Sequence, residues 1–269
     1  MKEMNVPGVH TTRFAVETAM DAAWPAVERH ESGGWVFRAA DGVTQRANSI
    51  WPRRIPDGGS PHFPVLLRDA RSWYRNRRLP VIFQVFDDAR TAPLNTFLDA
   101  EGFTRQSETL IMASWPLAAA AAPDRTVELS AQPSDEWLRV WWDVDGRGGA
   151  EALATARGIL EGCPALYALV RDDGGRPAAV GRLALPDKTL GWGGIYCMAT
   201  HPDARRRGHG TRILDALLQA AAERGLEGCW LLVTAANRAA QELYAKAGFQ
   251  ETGRYLYRQE RPRRHLTGC

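Results

Sequence analysis

No run of about 18 apolar residues occurs in this 269-residue chain, so no segment reads as a membrane-spanning helix. The opening stretch, Met1 to His10, lacks the apolar centre of a secretory signal. Cysteine is scarce. Cys163, Cys197, Cys229 and Cys269 form no CxxC pair, and no histidine cluster stands at zinc spacing, so neither a metal site nor a disulfide framework is expected. Cys197 and Cys229 sit in apolar strand-like runs, where a free thiol behaves as a small buried hydrophobe. These absences together predict a cytoplasmic protein in a reducing setting. The net charge of +3 is small and its basic residues are spread along the chain, which argues against a nucleic-acid partner. Two nucleotide fingerprints, GxxxxGK(S/T) and GxGxxG, are also missing. What remains is globular in balance, 45% hydrophobic and 24% charged, with length for one large domain or two ordinary ones.

The chain breaks at Leu117-Ala118-Ala119-Ala120-Ala121-Ala122-Pro123-Asp124, an alanine run without amphipathic pattern, stopped by proline. This predicts a first domain over 1–117, a linker over 118–124, a second domain over 125–260 and a solvated tail over 261–269. In the second half, Ala165 to Val170 and Ala178 to Leu185 flank Asp172-Asp173-Gly174-Gly175 as a hairpin, and Trp192 to Thr200 follows as a strand. Ile213, Leu214, Leu217, Leu218, Ala221 and Ala222 then recur at helical spacing. Cys229 to Val233 reads as a strand, Asn237 opens a helix closed by Gly248, and a closing strand pair is expected around Tyr255-Leu256-Tyr257. The result is a mixed-sheet α/β fold. The first half offers a hairpin (34–38 against 44–50), a helix over 66–78, a strand over 81–86 and a helix over 94–100. Phe97 to Phe103 and Leu243 to Phe249 both close a helix on Gly-Phe and lead into a strand, which points to an internal duplication.

The most informative stretch runs from Met198 through His201-Pro202-Asp203-Ala204 to Arg205-Arg206-Arg207-Gly208-His209-Gly210, joining an apolar strand to an amphipathic helix. The first N–H groups of a helix have no internal partner, and the helix dipole favours an anion there. Gly208 and Gly210 lack Cβ atoms, which lets the chain approach phosphate oxygens closely. The arginines add fixed charge and bidentate donors. Three arginines alone would suit a solvated turn equally. The glycines at this spacing favour a pyrophosphate clamp.

With that motif the chain resembles the GNAT superfamily of acyl-CoA N-acyltransferases, whose (Q/R)xxGx(G/A) signature falls on Arg205, Gly208 and Gly210. The resemblance covers residues 123 to 260 and implies tandem GNAT-like domains, the first of them degenerate. It implies that backbone groups of Met198, Ala199 and Thr200 hold the pantetheine arm and polarise the thioester carbonyl. It gives the pyrophosphate to the N–H groups of Arg206, Arg207, Gly208, His209, Gly210 and Thr211. A second match, Asn237 to Tyr244, implies that Asn237 bonds the cofactor and Tyr244 protonates the departing thiolate. Read without the resemblance, Asn237 is a helix N-cap and Tyr244 a core aromatic.

Acetyl-CoA is the expected co-substrate and a primary amine, of a small molecule or a peptide, the expected acceptor. A non-catalytic acyl-CoA sensor is the alternative. Relatives in the superfamily place a glutamate on the strand before the loop, but Gly193-Gly194-Ile195-Tyr196 carries no acid. Asp143 and Asp145 stand as candidate bases, with Tyr196, Trp137, Trp141 and Trp142 either lining an acceptor pocket or packing the core. In the first half Arg46, Asn48 and Trp51 look exposed and offer a contribution to the acceptor site. Monomer and homodimer both remain open.

Overall fold

The computed structural model describes residues 13–55, 62–117, 124–186 and 191–261. Its elements are α1 (Arg13–Ala23), β1 (Glu28–Ser32), β2 (Trp35–Ala39), β3 (Trp51–Pro52), α2 (Phe63–Arg75), β4 (Ile82–Phe86), α3 (Ala92–Ala100) and β5 (Thr104–Ser114). They continue with β6 (Val127–Ser130), α4 (Asp135–Asp145), α5 (Ala150–Glu161), β7 (Ala165–Arg171), β8 (Pro177–Ala184) and β9 (Trp192–Thr200). The last four are α6 (His209–Glu223), β10 (Gly228–Thr234), α7 (Arg238–Lys246) and β11 (Gln250–Gln259). Residues 118–123 of the expected linker and 262–269 of the expected tail lie outside the described residues.

The chain forms two compact units, and neither is a continuous stretch. The first takes Met1–Pro25, Trp115–Asp145 and Leu160–Trp230; the second takes Ala26–Ser114, Gly146–Ile159 and Leu231–Cys269. The expected domains, 1–117 and 125–260, thus describe the order of motifs along the chain and not the packing units.

In the first unit β9, β8, β7 and β6 pair in that order, each antiparallel to the next. The hairpin between β7 and β8 turns where expected. The Asp172 carboxylate accepts from the Gly174 N–H at 2.9 Å and the Arg176 N–H at 3.0 Å, which stands in for ladder bonds. α6 lies on β7, β8 and β9 through Ile213, Leu214, Leu217, Ala220 and Ala221. Each such leucine contributes about 2 kcal/mol by leaving water. The helix sits low because Gly181 of β8 has no Cβ. One added there would stand 2.5 Å from Ile213 Cγ2 and 3.0 Å from Leu217 Cδ1.

In the second unit α2 buries Phe63, Leu66, Leu67, Ala70 and Tyr74 against a core that includes Trp35, Phe37, Phe83 and Leu98. The hairpin expected over 34–50 is displaced. β1 and β2 form it and turn at Gly33 and Gly34, with φ of +54° and +84°. Residues 44–50 are not a strand, because the Asn48 side chain holds the backbone in a loop. Its Oδ1 accepts from the Ala40 and Gly42 N–H groups at 2.8 and 2.9 Å, and its Nδ2 donates to the Val43 and Thr44 carbonyls at 2.8 Å. Ile50 then bridges Phe83 in parallel, making this a mixed α/β arrangement.

The expected closing strand pair is one long strand, β11, lying between β4 and β5 and antiparallel to both. Arg258, fully buried, holds it there by donating to Asn95 Oδ1 at 2.7 Å and Asp99 Oδ1 at 2.5 Å on α3. The last strand of the chain thereby completes a sheet begun by its first half.

Candidate active site

The site is built first by an irregularity in β9. Leu183 pairs with Ile195 and Arg182 with Tyr196, but Val180 pairs with Ala199, so Gly181 faces two residues, Cys197 and Met198. This is a β-bulge, and Cys197 takes φ +53° to form it. The missing Cβ of Gly181 makes room for the Met198 sulfur, which would lie 2.8 Å from a methyl at that position. Ala199 is buried, while Met198 and Thr200 stay half-buried at the end of the strand.

From Thr200 the chain passes through a short 3-10 turn, Pro202–Ala204, in which His201 Nδ1 accepts from the Asp203 N–H at 3.4 Å. Arg205, Arg206 and Arg207 are exposed, with Arg205 donating to the Thr200 carbonyl at 3.3 Å. Arg206 at φ +61° and Gly208 at φ +81° curl the backbone into the start of α6. A Cβ on Gly208 would meet nothing within 4 Å, so the glycine serves its conformation and an open outer face. The Arg212 N–H makes a helical bond to the Gly208 carbonyl at 3.1 Å, leaving the N–H groups of His209, Gly210 and Thr211 ahead of the ladder. The residues fit a pyrophosphate: successive N–H groups stand at the positive end of a helix dipole, and three exposed arginines lie in the same turn.

Behind this turn Arg212 anchors the helix to the start of the β6 segment. It donates to Asp124 Oδ2 at 2.8 Å and to the Thr126 hydroxyl, and its Nη1 lies 3.4 Å from His209 Nδ1. The Arg212 guanidinium, helped by the Thr126 hydroxyl, draws the Asp124 carboxyl down to about 2.

Asn237 and Tyr244 belong to α7 in the second unit. Asn237 Oδ1 accepts from the Ala240 N–H at 3.2 Å, an N-cap of the ordinary kind. Tyr244 is buried two turns later, edge-on to Phe249 with ring centres 6.1 Å apart.

Of the candidates given two readings, several take the packing one. Trp137 and Trp141 are core residues, and the Trp137 Nε1–H donates to the Ala168 and Gly181 carbonyls at 3.0 and 3.2 Å. Tyr196 is also packed: it stacks on Trp24 at 5.6 Å, and its hydroxyl accepts from Trp230 Nε1 at 3.1 Å. Asp143 and Asp145 are exposed on α4. Asn48 and Trp51, expected to be exposed, are buried, and Arg46 is half-buried, because the loop they belong to folds onto its own backbone. Arg182, fully buried on β8, stands outside the sequence candidates; a lone arginine in the apolar run from Pro177 to Ala184 is its signal.

A helix-flanked sheet whose bulged strand feeds an arginine- and glycine-rich helix N-terminus is the arrangement expected of a GNAT-type N-acyltransferase. Within that class the chain belongs to the family described as probable histone acetyltransferase Rv0428c, C-terminal, which matches residues 12–258. It is 27% identical over 252 residues to the uncharacterized N-acetyltransferase YobR of Bacillus subtilis, covering 91% of this chain and 98% of that protein. It is 31% identical over 214 residues to the probable histone acetyltransferase Rv0428c of Mycobacterium tuberculosis, covering 78% of this chain and 62% of that one. The fold is shared with a GCN5-related N-acetyltransferase from Kribbella flavida (TM-score 0.68, 18% identity, 96% of this chain and 98% of that one). It is shared also with a tandem GNAT protein from the clavulanic acid biosynthesis pathway (TM-score 0.64, 17% identity, 92% and 88%). The chain is therefore a GNAT-type acetyltransferase. Among the described residues no helix is long and apolar enough to cross a membrane.

Proposed function

We propose that the chain moves an acetyl group from acetyl-CoA to a primary amine, on a small molecule or a peptide, by direct attack. The observation that carries this is the continuity of the β9 bulge, the Arg205–Gly210 turn and the N-terminus of α6. In this reading the N–H groups from Arg206 to Thr211 hold the pyrophosphate, with Arg205, Arg206 and Arg207 supplying charge. Backbone groups of Met198, Ala199 and Thr200 hold the pantetheine arm and the thioester carbonyl, and Asn237 adds a bond to that arm. The amine nitrogen forms the new bond to carbon as the C–S bond breaks, and Tyr244 gives its proton to the departing thiolate. β9 carries no acid, so the acceptor's proton leaves by a group other than a strand carboxylate.

The name of the Mycobacterium tuberculosis relative makes a histone-like basic peptide one acceptor worth including beside polyamines and amino-acid amides. Residues 1–117 are read as a degenerate GNAT-like copy and 125–260 as the catalytic one. The test is thiol release from acetyl-CoA across that amine panel, together with calorimetric binding of coenzyme A. Tight binding with no turnover on any amine would replace the enzyme by an acyl-CoA sensor.

A further inference from the structure

Arg182 sits in the middle of β8, fully buried, and among the described residues no carboxylate lies within ion-pair distance of it. A buried charge must be compensated by other means. Arg182 Nη1 donates to the Ala23 carbonyl at 3.0 Å, where α1 ends. Nη2 donates to the Leu160 and Cys163 carbonyls at 2.9 and 3.2 Å, where α5 ends, and Nε to the Tyr167 hydroxyl at 3.4 Å. Two helix C-termini, each the negative end of a dipole, thus converge on one guanidinium. The rings of Trp24, Tyr167 and Tyr196 surround it at 6.0, 5.8 and 5.9 Å.

Tyr196 is the register partner of Arg182 and the last residue before the bulge. Trp24, directly after α1, stacks on it with planes 25° apart, and the Trp230 bond fixes its hydroxyl. The next residue, Cys197, holds the left-handed φ, a conformation that persists where the surroundings over-determine it. Beyond it Ala199 and Thr200 are locked to Val180 and Ala179. The bulge is clamped on both sides, and one side depends on α1.

We propose that Arg182 is a positioning residue for acyl transfer. It seats α1 and Trp24 against Tyr196, and so holds the Cys197–Thr200 backbone in the form that presents its groups to the thioester. This rests on the acyltransferase reading above. Arg182→Met, of similar length and without charge, is expected to speed amide hydrogen exchange at residues 197–200 at least tenfold while residues 213–217 of α6 keep their protection. Acetylation of the amine found in the panel should lose about ten- to a hundredfold in kcat, the scale of a small misplacement of reacting groups. The Kd for acetyl-CoA should rise by a clearly smaller factor than kcat falls, since α6 still holds the pyrophosphate. Trp24→Leu, which keeps the guanidinium and its carbonyl partners, should give the same pattern in a protein that folds if Arg182→Met does not. Arg182→Lys should fall between wild type and Arg182→Met, because one ammonium cannot span both helix ends. Unchanged exchange at 197–200 in a folded variant overturns the proposal, as does a kcat loss matched by an equal loss in Kd. If the wild-type protein acetylates no amine, the acyltransferase reading fails, and the exchange measurement still decides whether Arg182 holds the bulge.

Discussion

The helices α3 and α7 share one design and differ at the two positions proposed to meet the donor. Both boundaries of α7 lie 146 residues beyond those of α3 (238 − 92 and 246 − 100). Both helices stop at a left-handed glycine, Gly102 at φ +78° and Gly248 at φ +86°. The following N–H groups reach back alike, Phe103 to the Leu98 carbonyl at 2.9 Å and Phe249 to the Tyr244 carbonyl at 3.0 Å. Yet Tyr244 stands where α3 has Leu98, and the Asn237 cap stands where α3 has Thr91, whose hydroxyl turns back to the Phe86 carbonyl at 2.5 Å. The same spacing relates Phe63 and His209, the first residues of α2 and α6 (209 − 63). There Gly208 at φ +81° corresponds to His62 at φ −88°, and Gly210 corresponds to Pro64, which has no N–H to offer. The match supports the proposed duplication. The first copy keeps what packing needs and lacks the groups assigned to the donor.

The sharpest way to break this comparison is to separate the halves. Residues 124–269 alone lose β4 and β5, the two neighbours of β11, so this fragment is expected to show no cooperative thermal transition by circular dichroism. Co-expression with 1–123 should restore it. A folded, coenzyme A-binding fragment would mean that β11 finds a partner in its own half.

Next in size is the donor turn. Gly208→Asp should raise the coenzyme A Kd more than a hundredfold, because a β-carbon at positive φ and a negative charge both oppose the phosphates. Gly210→Pro copies the first half and removes one N–H at a helix position that tolerates proline. A loss of about 1.5–3 kcal/mol, the scale of one bond to a charged group, is expected in calorimetry with the helix intact. Full affinity in this variant would remove the Gly210 N–H from the cradle. Tyr244→Leu, which also copies the first half, should lower kcat by about ten- to a thousandfold and leave the coenzyme A Kd nearly unchanged; unaltered turnover would take the acid role from Tyr244.

Smaller effects test the shared part. Gly102→Ala and Gly248→Ala should each destabilise by about 1–2 kcal/mol in denaturant titrations, and by similar amounts, if the two helix ends are equivalent. The smallest effect concerns Asp124. Its carboxyl is held at about 2 by Arg212 and Thr126. Its contribution is therefore present above the unfolded value of about 4 and lost as pH falls toward 2. Asp124→Asn should flatten a little of the stability loss between those two pH values. The change is slight because the pair is solvent-exposed.

Short-range chemistry was legible from the residues alone. The hairpin at Asp172–Gly175, the buried face of α6, the Gly-Phe helix ends and the arginine–glycine turn all appear where their residues predict, since each rests on capping, positive φ or periodicity within one or two turns of chain. The class of protein was legible through the resemblance of Arg205, Gly208 and Gly210 to the GNAT signature, a pattern that lies within six residues of chain. Only tertiary structure decided that β11 closes a sheet with β4 and β5, that Trp137 and Tyr196 are packed rather than presented, and that α1 ends on Arg182. Strand partnership and burial depend on which distant segment arrives alongside. A buried arginine and an exposed one read the same until the helices that compensate it are in place.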